Sequence, residues 1–67
     1  MKLVINGEEQ IFTQPVATVA LLLEKLGVPV SRTAIELNGS PVEQHKLEAT
    51  ALQDADRIEI VSFVGGG

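Results

Sequence analysis

Thr18-Val19-Ala20-Leu21-Leu22-Leu23-Glu24-Lys25-Leu26-Gly27 is the stretch where apolar residues recur with clear helical spacing. Val19, Leu22, Leu23 and Leu26 fall at i, i+3, i+4 and i+7, which lines them along one face of an α-helix. Glu24 and Lys25 lie on the opposite side. Thr18 suits an N-cap, although Leu21 rather than Glu stands three residues on, so there is no capping box. Gly27 sits where a left-handed C-cap belongs, and Pro29 prevents continuation. A chain of 67 residues cannot spare this stripe for a partner, so it is assigned to the core.

On either side of the helix the apolar period shortens to two, the spacing of half-buried strands. At the start, Met1, Leu3 and Ile5 share one face, and Lys2 and Val4 the other. Asn6-Gly7 is a hairpin turn signal. A strict two-residue loop would set Glu8 opposite Ile5 and drive a carboxylate into the core. A longer or bulged connection is therefore expected, with Leu3 across from Phe12 and both facing inward. The second strand then covers residues 9–13 and stops at Gln14-Pro15.

After the helix, residues 33–38 alternate with Ile35 and Leu37 inward and Glu36 outward, closed by Asn38-Gly39. Pro41-Val42 can pair only briefly. Residues 43–53 have a weak pattern, in which Leu47 and Leu52 anchor an irregular, partly helical connection. Asp54-Ala55-Asp56 then turns the chain into a last strand over residues 57–64. One helix can cover only one face of one sheet, and the strand after it requires a crossover. The expected fold is α+β: a β-grasp, with a four- to five-stranded mixed sheet packed on one main helix. Residues 1–64 form the domain, and 65–67 a flexible glycine tail.

The last strand has apolar residues on both faces. Ile58 and Ile60 share one with Ser62 and Val64; Arg57, Glu59, Val61 and Phe63 share the other. If the isoleucines are core, Val61 and Phe63 point away from the helix, where Val4 and Ile11 join them. Fully burying such a side chain is worth about 1.5–3 kcal/mol, so the uncovered cluster is assigned to partner docking.

Composition removes several function classes. Lys and Arg total 5 against 9 Asp and Glu, a formal charge of −4, and the basic residues are scattered. That disfavours nucleic acid, which needs a basic stripe. Without cysteine there is no disulfide, thiolate metal site or thiol nucleophile. His45 has no second ligand at metal spacing, so no metal site is assigned. No signal peptide or membrane-spanning run is read, and a cytoplasmic protein without membrane contact is expected. Neither a Ser-His-Asp arrangement nor a phosphate loop is present, so the chain is not read as an enzyme.

Gly65-Gly66-Gly67 reads from composition either as a frayed terminus or as something another protein handles. Three residues without side chains reach about 10 Å when extended, and glycine accepts whatever dihedrals a narrow channel demands. The group delivered is the α-carboxylate of Gly67. A carboxylate is a poor electrophile until its oxygen is joined to AMP, after which sulfur or nitrogen can attack the carbonyl. That step needs ATP and magnesium, bound by a partner rather than by this chain.

The run I-E-I-V-S-F-V-G-G-G at the end resembles the ubiquitin-like sulfur carrier proteins of thiamin (thiazole) biosynthesis, the ThiS family. M-K-L-V-I-N-G-E, T-V-A-L-L-L-E-K-L-G and I-E-L-N-G match the same family, so the resemblance spans essentially the whole chain. It implies that an E1-like adenylyltransferase adenylates Gly67, and that a sulfur donor such as a cysteine desulfurase converts it to a thiocarboxylate. Thiazole synthase would then take the sulfur. Gly65 and Gly66 would thread the partners' sites, while Val61 and Phe63 hold the docked surface. Ala55 departs from the family's usual Asp-Gly-Asp turn, and Ser62 from the histidine that often precedes the Phe. The same tail suits the small subunit of molybdopterin synthase, a ubiquitin-like protein modifier, or a β-grasp interaction module.

Overall fold

Strand β1 (Lys2–Ile5) and strand β2 (Glu8–Ile11) form a hairpin around Asn6-Gly7, which take φ of 51° and 82°. Positive φ at both central residues is the turn that matches strand twist, and Asn-Gly favours it. Pairing runs Ile5 to Glu8, Leu3 to Gln10 and Lys2 to Ile11 in the computed structural model, which describes residues 1–63. The expected bulge, the Leu3–Phe12 pairing and the 9–13 span are therefore corrected to a tight hairpin and a strand over residues 8–11. The reason is that β2 is an edge strand, where Glu8 stays exposed although it faces the same side as Ile5. The register moves by two residues, so every side chain keeps its face. Phe12 still packs partly buried against the core, its N–H donating to the Met1 carbonyl at 2.8 Å.

Helix α1 (Val19–Leu26) has the expected caps. Thr18 Oγ1 accepts from the Leu21 N–H at 3.2 Å, and Gly27 is left-handed with φ 70°. The Gly27 and Val28 N–H groups donate to the Glu24 and Leu23 carbonyls, satisfying the last turn. The first N–H groups of the helix need partners from elsewhere. Val19 donates to the Thr50 carbonyl at 3.0 Å and Ala20 to that of Leu47 at 3.1 Å. The irregular segment thus caps the helix backbone while Leu47 and Leu52 enter the core.

Strands β3 (Thr33–Leu37), β4 (Ser40–Val42) and β5 (Arg57–Ser62) complete a sheet of order β2-β1-β5-β3-β4. β5 runs parallel to β1 and antiparallel to β3, so α1 is the crossover that leaves room for the last strand between them. Leu3, Ile5, Ile35 and Ile58 face Val19, Leu22 and Leu23, all buried. Val16, which no periodicity marks, is buried with them. β5 ends at Ser62, so the expected last strand is corrected at Phe63; Val64 and Gly65 to Gly67 lie outside the described residues, and with them the expected tail.

The turn into β5 is tightly specified. Asp56 Oδ2 accepts from the Gln53 N–H at 2.8 Å, and Asp54 Oδ1 from the Lys2 N–H at 2.7 Å. Between them Ala55 is held at φ 72°, where a Cβ is strained by about 1 kcal/mol or more. Ala55→Gly is expected to stabilise the fold by about 0.5–1 kcal/mol, after glycine's larger entropy loss. A thermal melt should rise by roughly 4 °C; an unchanged or lower midpoint would show that the turn carries no strain.

Candidate functional site on the outer sheet face

Helix α1 covers one side of the sheet, and the other is set by strand alternation. Register places Lys2, Val4, Glu9, Ile11, Ala34, Glu36, Arg57, Glu59 and Val61 on that outer side. Phe63 continues the alternation beyond β5, anchored by its N–H to the Arg32 carbonyl at 2.7 Å. Val61 is 53% exposed, Phe63 59% and Ile11 72%, whereas Val4 is half-buried.

The four residues assigned to docking share a face but not a patch. Val4 pairs with Arg57, so Val61 lies four residues farther along, about 13 Å at the strand rise. Ile11 is level with Lys2 and stands about 20 Å from Val61 along the strand direction. Arg57, Glu59 and the Lys2–Glu9 ion pair (3.4 Å) occupy the face between them. Val61 and Phe63, with Ala34 opposite Val61, therefore form a separate apolar end, next to the start of the glycine tail.

That apolar end has an acidic border. Glu36 and Glu59 are direct cross-strand partners and both are exposed. Like charges in this position repel and destabilise the sheet slightly. A partner surface with basic groups opposite them would relieve that repulsion.

Two further residues hold β5, and their roles go beyond the turn reading. Asn6 Oδ1 accepts from the Ile60 N–H at 2.7 Å, and Asn6 Nδ2 donates to the Ile60 carbonyl at 3.2 Å. Asn38 Oδ1 accepts from the Arg57 N–H at 2.9 Å, and Asn38 Nδ2 donates to Asp56 Oδ1 at 3.0 Å. The sequence marks both as turn formers through Asn-Gly. Their second role depends on a strand more than fifteen residues away, which local pattern does not reveal.

His45 is exposed on a short 3₁₀ turn (Gln44–Lys46), with its Nε2 at 3.6 Å from Glu43 Oε2. Among the described residues no group of three or more His, Cys, Asp or Glu could hold a metal ion. No described helix is long and apolar enough to cross a membrane. A shallow groove beside α1 is lined by Pro15, Val16, Leu21, Glu24 and Lys25.

Comparison with known proteins identifies the family and the fold. The sequence model of the ThiS family matches residues 3–67. A thiazole synthase from Paramagnetospirillum magneticum is 46% identical over the whole of this chain, which spans 20% of that protein. An uncharacterized protein, ycf40, from Porphyra purpurea is 35% identical, covering 94% of this chain and 87% of its own. The crystal structure of the thiamine biosynthesis protein ThiS from Geobacter metallireducens superposes with a TM-score of 0.86. It shares 33% identity, and 100% of each chain is matched. The five-stranded mixed sheet on one helix is therefore the β-grasp of that protein, and the chain belongs to the ThiS family, the sulfur carriers of thiamine biosynthesis.

Proposed function

We propose that this chain carries sulfur as a thiocarboxylate on Gly67 and delivers it for thiazole formation. The observation that carries this reading is the ThiS family match, which runs from residue 3 through all three terminal glycines. In the first step a carboxylate oxygen of Gly67 attacks the α-phosphorus of ATP, and pyrophosphate leaves. An E1-like adenylyltransferase supplies the nucleotide and magnesium sites. The outer sulfur of a donor persulfide, loaded by a cysteine desulfurase or equivalent, then attacks the carbonyl, and AMP leaves with the bridging oxygen. A thiol of the partner cleaves the resulting acyl disulfide, releasing the thiocarboxylate and leaving a disulfide on the partner. The resulting thiocarboxylate is the sulfur source for thiazole synthase. A stretch matching this entire chain within a polypeptide called thiazole synthase supports that pairing.

The outer face suits the docking this chemistry needs. Gly67 lies four residues beyond Phe63, so a partner that seats Phe63 can receive the carboxylate within about 13 Å of extended chain. Basic groups on its rim would face Glu36 and Glu59 and steer the encounter. Gly65 and Gly66 would thread the active site, because a side chain there would widen the channel required. Val4 and Ile11, set apart from the Val61–Phe63 end, would serve the periphery of such an interface.

Incubation with ATP, a sulfur source and the adenylating enzyme of thiamine biosynthesis, followed by intact mass, tests the chemistry. Exchange of one oxygen for sulfur is expected. Lysine-linked adducts would instead identify a protein modifier, and an unchanged mass would leave an interaction module. Deleting Gly67 should abolish sulfur transfer and leave the melting temperature unaltered; a large loss of stability would make the tail structural. Phe63→Ala should weaken partner binding while changing stability by no more than about 0.5 kcal/mol, the range for an exposed site. A melt that falls as far as that of Ile58→Ala, about 2–5 kcal/mol for a buried position, would contradict the docking role.

A further inference from the structure

We propose that Asn6 is a positioning residue that fixes the tail-bearing end of β5; its link to sulfur transfer rests on the carrier reading above. Strand β1 ends at Ile5, and the chain reverses at Asn6-Gly7. Its last backbone bond to β5 is the Asn6 N–H donating to the Ile58 carbonyl at 2.9 Å. Alternation along β5 sends the Asp56 and Ile58 carbonyls towards β1, and the Arg57 carbonyl and Phe63 N–H towards the β3 side. The Ile60 N–H and C=O therefore face the side where β1 has already turned away. The Asn6 side-chain amide meets both, at 2.7 and 3.2 Å.

A primary amide presents a carbonyl and an N–H with the spacing of a peptide unit, so Asn6 extends the β1–β5 ladder by one position. That position is the residue immediately before Val61-Ser62-Phe63. Without it, Ile60 and the residues after it would be held from the β3 side alone. The apolar end of the outer face would then have to be ordered when a partner binds, a cost that raises KM and spares kcat. Asparagine is suited to both tasks, since it tolerates φ of 51° and offers both a donor and an acceptor. Aspartate would keep the acceptor but set lone pairs against the Ile60 carbonyl.

Asn38 provides an internal control. It stands in a second Asn-Gly turn at φ 52° and bonds at the opposite end of β5, accepting from the Arg57 N–H and donating to the Asp56 carboxylate. Asn6→Gly and Asn38→Gly both keep the turn conformation and remove the side-chain bonds. In the full chain, amide exchange at Ile60 and relaxation at Ser62 and Phe63 are measured first. Steady-state kinetics of each variant as substrate for the adenylating enzyme follow. Asn6→Gly should speed Ile60 exchange and raise KM by about fivefold, the loss of one or two net hydrogen bonds, with kcat within about twofold. Asn38→Gly should lower the melting temperature comparably and leave KM unchanged. Asn6→Asp should fall between wild type and Asn6→Gly, and replaces it if the glycine variant does not fold. Wild-type exchange and KM in Asn6→Gly, or equal KM effects in both glycine variants, would overturn the proposal. If wild type itself is not adenylated, the carrier reading fails, and exchange and relaxation at residues 60–63 alone decide whether Asn6 positions β5.

Discussion

Strand β5 is the element on which the rest of the protein depends. It is the last strand in sequence yet the middle strand of the sheet, parallel to β1 on one side and antiparallel to β3 on the other. Ile58 at its centre is completely buried against the helix-side core. The two hairpins, β1–β2 and β3–β4, have no pairing with each other, so β5 is what joins them into one sheet. The Asn6 side chain bonds the β5 backbone at both the Ile60 N–H and carbonyl, and the Asn38 side chain at the Arg57 N–H. A small domain with a thin stability margin thus concentrates its long-range contacts on one segment.

The same segment organises function. Because β5 is gripped on both edges and covered by α1 on one face, its other face is the one we propose for a partner. Alternation places Val61 and Phe63 there, and chain order places the glycines directly after them. In the proposed carrier role, the surface for recognition and the glycine lead for delivery are adjacent in the chain. Neighbouring Glu36 and Glu59 add a repulsion that the isolated fold has no use for.

Much of the fold was legible in local pattern. The helix and both its caps follow from Thr18, the Val19–Leu26 stripe and Gly27, because 3.6-residue periodicity and cap chemistry are properties of neighbours in sequence. The two Asn-Gly turns and the inward placement of Ile35 and Ile58 are equally local. The hairpin register was not, because a carboxylate opposite Ile5 is unacceptable only if the helix covers that position. At the sheet edge it does not, and Glu8 remains in solvent. Residues 43–53 carry no regular pattern because two of their carbonyls, of Leu47 and Thr50, serve the helix N-terminus and others close short local turns.

By itself the sequence determined the class of fold, the buried face of the helix, the two faces of the last strand and the side-chain-free end. All of these are set by spacing along the chain. Its resemblance to the ThiS family also implied the chemistry proposed for such an end. Tertiary structure alone decided three things: strand order, the separation of Ile11 from Val61 and Phe63, and the second role of Asn6 and Asn38. Each depends on which residues far apart in sequence become neighbours, and that is fixed by packing around β5 rather than by any local preference.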